Sequence, residues 1–364
     1  MTEFDIGRIP AILVCGVDAD TMAVASSALG WDLPGAVAVR HDLDPARDIL
    51  IRTVSDITGI VEREEFHLAH ACVTCAIRED VVPTLEHLAA SGRWTAIVAQ
   101  LPATATASQV CRVAAWMPAE LPHVRVAAVV TAVDAVSLGD DLLADELLTE
   151  LDLPVRADDG RGLAETLCGM VEYADLVFAS QPVEDETRDL LSVLMRPGAG
   201  FIDSVESLDA AALAAGVHDC EASDAWVAEV RRGQLAAGEG AAWVLDVRSD
   251  RPLHPGRLQQ FVELLGGGPH RSRGCFWLPT RPHQVCVWDG AGGQVSIGSR
   301  DETWGSEQPL TRIVVVGLDD GRDALAAAFR ACLLTDAELA DRGPYWEVFE
   351  DGFESWLGPI RRAA

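Results

Sequence analysis

Short apolar runs alternate with helical periodicity through the first two thirds of the chain. Pro10 to Cys15 is an unbroken apolar run, the pattern of a strand buried on both faces. Asp20 to Leu29 reads as the helix that follows it. Gly35 to Arg40, Trp94 to Ala99, Val124 to Val133 and Leu176 to Ala179 predict further strands. Residues 49–66 are rich in Ile, Val and Thr and predict a strand or hairpin. Ile77, Val81, Leu85 and Leu88 recur at helical spacing and share one face of a helix over Ile77 to Ala90. Helices are also expected over Ala105 to Trp116, Asp140 to Leu151, Leu163 to Tyr173 and Glu184 to Leu194. Strands alternating with helices predict an α/β domain around a mainly parallel sheet.

The grammar changes after residues 216–240, which are acidic and rich in Gly and Ala. This stretch reads as a linker with a boundary near 235, giving domains 1–235 and 236–364. Beyond it, Ala241 to Arg248, Gly274 to Leu278, Gln284 to Trp288, Gln294 to Ile297 and Arg312 to Val316 predict closely spaced strands. Helices are expected over Pro255 to Leu265 and Arg322 to Leu333. Such a run predicts a smaller α+β domain with an antiparallel sheet.

Charge narrows the function. The 28 basic residues face 57 acidic ones, a net charge of −29 over 364 residues. A surface this acidic repels phosphate backbones and anionic membranes, so a basic protein partner is expected rather than nucleic acid. There is no apolar run long enough to span a membrane and no signal-peptide pattern, which places the chain in the cytoplasm. Every one of the 28 basic residues is an arginine. Chemistry that needs a lysine from this chain is therefore excluded, the phosphate-binding lysine of nucleotide loops included. The nine cysteines are odd in number and scattered, which is not a disulfide framework.

Two local patterns carry chemistry. The first strand is followed by Gly16-Val-Asp18-Ala-Asp20-Thr21-Met22-Ala23. A phosphate-binding loop needs G-x-x-x-x-G-K-S/T, so that backbone N–H groups and a lysine cradle the phosphates. Thr21, Met22 and Ala23 replace the second glycine, the lysine and the hydroxyl residue. Asp18 and Asp20 add the wrong charge. Gly16, Asp20 and Thr21 would be the remnant of such a site, with hydrolysis lost. The second pattern is His67-Leu-Ala-His70-Ala-Cys72-Val-Thr-Cys75. Two thiols at this spacing can share a tetrahedral zinc, which His70 and His67 can help complete. Glu64 and Glu65 stand nearby as weaker oxygen ligands. Two other readings stay open: a pair of structural thiols, or a redox dithiol whose Cys75 opens a helix. His254-Pro255 reads as a helix start. The ten tryptophans suit core and partner contacts better than base stacking on so acidic a chain.

Together these residues resemble the CobW-type family of P-loop GTPases, which includes zinc metallochaperones. The resemblance spans nearly the whole chain and implies a P-loop NTPase-like first domain. Cys72-Val-Thr74-Cys75-Ala-Ile-Arg78-Glu-Asp80 matches the family's Cys-x-Cys-Cys sequence and the helix start after it, with Thr74 for the middle cysteine. His70 is the first choice to replace that thiol. Arg251 to Leu258 is similar to the family's "His-Pro-x-Arg" helix entry. Arg271-Ser-Arg273-Gly-Cys-Phe-Trp277 is similar to its "Arg-x-Lys-Gly-x-x-Trp" strand. The segments around Asp336 and from Trp346 to Trp356 resemble its closing stretch. The nucleotide motifs fail together: Gln100-Leu-Pro-Ala103 stands for "Glu-x-x-Gly", and Ser180-Gln-Pro-Val183 stands for the guanine-reading "Asn-Lys-x-Asp". Asp134 alone is retained. The resemblance implies zinc as the cofactor, GTP as a doubtful one, and either of two roles. One is a zinc-responsive adaptor of the actinobacterial branch, recruiting a basic ribosome hibernation factor when zinc is scarce. The other is a GTP-dependent zinc metallochaperone.

Overall fold

The computed structural model describes residues 7–230 and 240–360. Strands β1 (Ile9–Cys15), β2 (Ala36–Asp44), β3 (Ile49–Asp56), β4 (Gly59–His67), β5 (Ala96–Gln100), β6 (Val124–Val133), β7 (Leu176–Ala179) and β8 (Gly200–Ile202) form one sheet in the order β4-β3-β2-β5-β1-β6-β7-β8. The six strands from β2 to β8 along that order are parallel. The β3–β4 hairpin extends the sheet antiparallel at one edge. The fully apolar β1 serves both faces. Ala11, Leu13 and Cys15 pack with helices Val82–Ala90 and Ser108–Trp116. Ile12 and Val14 pack on the other side with Met22, Ala25 and Leu29 of helix Ala19–Asp32.

A second sheet is built from β9 (Trp243–Ser249), β10 (His270–Phe276), β11 (Gln284–Ala291), β12 (Gln294–Thr303) and β13 (Thr311–Gly317), in the order β12-β11-β10-β13-β9 and antiparallel throughout. Helices Pro255–Gly266 and Arg322–Cys332 cover one face through Leu258, Leu265, Leu325 and Phe329. The α/β and α+β expectations both hold. The boundary expected at 235 lies outside the described residues.

The two halves are joined by charge as well as by apolar packing. Alternate residues of β10 point to opposite faces. Arg271 and Arg273 therefore leave the sheet together, toward Glu172 of helix Leu163–Tyr173. Arg271 Nε lies 2.9 Å from Glu172 Oε1, and Arg273 Nη1 lies 2.9 Å from Oε2. Arg271 also pairs with Asp289. All of this is buried except Asp289, which stays partly exposed.

Two expectations fail locally. Asp140 to Leu151 is not one helix: Leu138–Asp141 is helical, Leu148–Glu150 is a single 3-10 turn, and the rest is irregular. The reason is tertiary. Gly292, at φ +51°, seats the β11–β12 turn directly on the Ala144 carbonyl, where any side chain would collide. The supposed linker contains helix Cys220–Val227, which packs beside Tyr173. Strand β8 and helix Ala210–Ala215 were also not foreseen.

Candidate functional site

The turn after β1 is shorter than a phosphate loop. Helix Ala19–Asp32 begins three residues after Gly16, so most of the eight-residue motif frame is already helical. Asp18 caps it: its Oδ1 accepts from Thr21 N at 2.6 Å. The carboxylate thus occupies an amide of the kind that a phosphate would use. Thr21 is buried beside that bond and Asp20 is exposed. Met22, at the lysine position, is wholly buried in the core beneath the turn. Gly16 is required by space, since a Cβ there would stand 2.5 Å from the Ala132 carbonyl oxygen.

The segment after β5 closes over this turn. Leu101 N donates to Val14 O, and Thr104 N donates to Gly16 O, each at 2.9 Å. Thr104 is fully buried at φ +67°, a region costly for a β-branched residue. Arg161 holds it there, donating to its carbonyl at 3.0 Å and to its hydroxyl at 3.2 Å, while paired with Asp159. Asp134 closes its own turn by accepting from Val136 N at 3.2 Å. Of Ser180 to Val183, the first three are exposed and Val183 is packed in the core. Beside them is a cavity of about 360 Å³ whose lining includes Asp140, Glu146, Glu184 and Glu186. Four carboxylates there disfavour an anionic ligand.

The predicted zinc ligands lie on one exposed connection. His67 ends β4 and His70 lies in the bend after it, both exposed. Cys72 caps the short helix Val73–Ala76, its sulfur accepting from Cys75 N at 3.4 Å. Both thiols are half-buried. Burial, together with the neighbouring Cys72 sulfur, raises the Cys75 thiol above its ordinary value, the opposite of what a redox dithiol at a helix start needs. Among the described residues, no group of three or more His, Cys, Asp or Glu side chains is already arranged to hold a metal ion. The soft donors suit zinc, and loading would require the loop to close around it. Glu64 and Glu65 are engaged elsewhere, with Arg52 at 2.9 Å and Arg47 at 3.3 Å.

Below the thiols the chain makes one π turn, Ile77–Val81, before helix Val82–Ala90. It turns Asp80 inward. Arg52 Nη1 meets Asp80 Oδ1 at 2.6 Å and Thr84 Oγ1 at 2.9 Å, while Nη2 meets Glu62 Oε1 at 2.7 Å. Buried His41 places Nε2 3.2 Å from Asp80 Oδ2. The base of the thiol loop is thereby fastened to β2, β3 and β4. Arg52 and His41 had no sequence signal, because their partners lie on distant elements.

The profile of the cobalamin synthesis protein cobW C-terminal domain matches residues 243–333. The zinc chaperone Rv0106 of Mycobacterium tuberculosis is 30% identical over 399 residues, covering 96% of this chain and 94% of its own. The chain belongs to the CobW family. The zinc-regulated GTPase metalloprotein activator 1 of Dictyostelium discoideum is 20% identical, over 85% of this chain and 72% of that one. Among solved structures, the Zn(II)-bound YjiA GTPase from E. coli aligns over 90% of this chain and all of that one, at 17% identity and a TM-score of 0.35.

In this CobW-family chain the C-terminal motifs are structural ties. His254 Nδ1 caps its helix by accepting from Arg257 N at 3.3 Å. Arg257 grips Glu338 at 2.6 and 2.8 Å. Arg281, fully buried, grips Asp351 at 2.9 and 3.0 Å and so holds the closing segment. Arg271 and Arg273 take Glu172 across the domain boundary. Among the described residues, no helix is long and apolar enough to cross a membrane.

Proposed function

We propose that this chain is a zinc-responsive adaptor: a binding module of the CobW family that works without hydrolysing nucleotide. The observation that carries this reading is the first turn, where the Asp18 carboxylate takes the helix amide and Met22 is packed into the core. A nucleotide would have to displace an internal anion at a site without a lysine. Zinc enters through Cys72, Cys75, His70 and His67. Its occupancy would close the exposed loop, and its loss would release a surface rigidly tethered through Asp80 to the sheet. The partner is a basic protein suited to a chain of net charge −29, and the branch resemblance names a ribosome hibernation factor recruited in low zinc. The experiment is co-sedimentation of the full chain with small ribosomal subunits and a hibernation factor, with zinc added or chelated. The adaptor reading expects association to change with zinc and to ignore GTP.

A second reading is favoured by the relatives' names, zinc chaperone and zinc-regulated GTPase metalloprotein activator. Under it, zinc is cargo rather than signal. GTP-dependent transfer of zinc from this chain to a chelating acceptor would select that reading over the adaptor.

A further inference from the structure

Each sheet ends in two edge strands, and three of the four offer little backbone to a partner. β8 is three residues long, β9 has a single exposed residue, and half of β12 is covered. β4 differs. It has nine residues, all exposed except the half-buried Phe66. Among the described residues, no strand pairs with its outer side. Its pairing to β3 is regular from Glu62 to His67, beyond a register shift that sets the exposed Ile60 and Val61 apart. Along that run, alternate residues aim their backbone N–H and C=O groups away from β3. An edge of this kind is a template for one more strand.

Charge decides which strand fits. Glu62 and Glu64 share one face of the edge. Arg52 of β3 meets them at 2.7 and 2.9 Å, and it also meets the buried Asp80 at 2.6 Å. One guanidinium thus serves three carboxylates. The arginine is 15% exposed, whereas the side chains of Glu62 and Glu64 are 43% and 50% exposed. This face therefore keeps an excess of negative charge toward solvent. The other face is balanced: Arg63 alternates with Glu65, and Glu65 lies 3.3 Å from Arg47. A second copy of this chain would bring its own net charge of −29 and its own carboxylates against the edge, and like charges opposed across strands are destabilising. A strand carrying Lys or Arg at alternate positions meets the opposite sign.

We propose that β4 is the docking edge for a basic protein partner. An extended segment of that partner adds to the sheet beside β4, with two Lys or Arg side chains at alternate positions set against Glu62 and Glu64. Backbone pairing supplies the attachment and the two carboxylates select the sequence. The expectation of a basic partner rests on the adaptor reading; the open edge and its charge do not. β4 ends at His67, one of the predicted zinc ligands, and runs straight into the thiol loop. A strand added there lies beside the loop that zinc would close.

The test titrates the full chain with a fluorescein-labelled, end-blocked peptide that alternates arginine with valine, at physiological salt, with zinc added or chelated. The expected result is saturable binding that slows hydrogen exchange at residues 62–67. Glu62→Gln/Glu64→Gln should weaken it about fivefold. Glu184→Gln/Glu186→Gln removes the same charge from exposed positions after β7, toward the other end of the sheet, and should change it less than about twofold. The same peptide with its backbone amides N-methylated keeps its charge but cannot donate to a strand, so it should bind more weakly and leave 62–67 unprotected. No saturable binding, equal affinity for the methylated peptide, equal weakening by the two double variants, or protection elsewhere than 62–67 would overturn the proposal. Binding at 62–67 that ignores zinc would support the docking edge and count against the zinc-responsive reading, so the two failures are told apart. If a variant fails to fold, the exchange map and the methylated peptide decide on the wild-type chain.

Discussion

At the scale of single residues, this chain repeatedly uses a carboxylate to satisfy what a ligand or a solvent shell would otherwise satisfy. Asp18 is the simplest case. Its bond to Thr21 N caps the first helix of the sheet. Asp18→Ala should cost about 1 kcal/mol, read as a lower urea midpoint with an unchanged slope. Because Met22 remains buried, that variant should gain no GTP affinity. Glu172 is the expensive case. Removing it leaves Arg271 and Arg273 buried without their shared partner. Glu172→Ala should destabilise by about 3–5 kcal/mol and expose the domain interface to protease, whereas Asp289→Ala, at a half-exposed partner, should cost far less. Residues of this kind were invisible in the sequence, since Glu172 and Arg271 are 99 positions apart. Asp175 and His218, 43 positions apart, were equally hidden.

At the scale of elements, legibility followed apolar continuity. Strand β1 is an unbroken apolar run and β6 and β13 are mostly apolar, and they were readable because each is buried along most of its length. Helix Cys220–Val227 is acidic and Ala-rich, has one fully buried residue, and so resembled a linker. The Asp140 to Leu151 segment had helical spacing, but the incoming Gly292 turn imposed another shape. The thiol loop was legible because its spacing is local; the Arg52–Asp80–His41 fastening beneath it was not. Near the C-terminus, helix Asp336–Arg342 depends on Glu338, which bonds Arg257 and closes a capping box with Thr335. The Arg257 guanidinium holds the Glu338 carboxyl well below the usual carboxylate range. A depressed folded-state value stabilises above the unfolded value of about 4.5 and is lost as pH falls below it. Acid should thus loosen this helix, and Arg257→Ala should remove that part of the acid sensitivity, as hydrogen exchange over 335–343 would report.

At the scale of the molecule, a mainly parallel sheet and an antiparallel sheet stand in one chain, and the turn after β1 is capped by Asp18. In the C-terminal domain, Arg257, Arg273 and Arg281 fasten helices and domains. A net charge of −29 makes any basic partner's association salt-sensitive: raising ionic strength from low to physiological should slow the on-rate markedly, with less change in dissociation. Zinc and nucleotide are then separable, because the thiol loop is tied to the β2–β4 side of the sheet and the capped turn lies at the end of β1. The most direct test is an equilibrium zinc titration of the purified full chain and of Cys72→Ser/Cys75→Ser, each with and without GTP and magnesium. The structure-based expectation is roughly one zinc per wild-type chain, lost in the double variant, with GTP showing no saturable binding and no effect on zinc affinity. Zinc retained by the double variant, or saturable GTP binding that shifts the zinc curve, would contradict it.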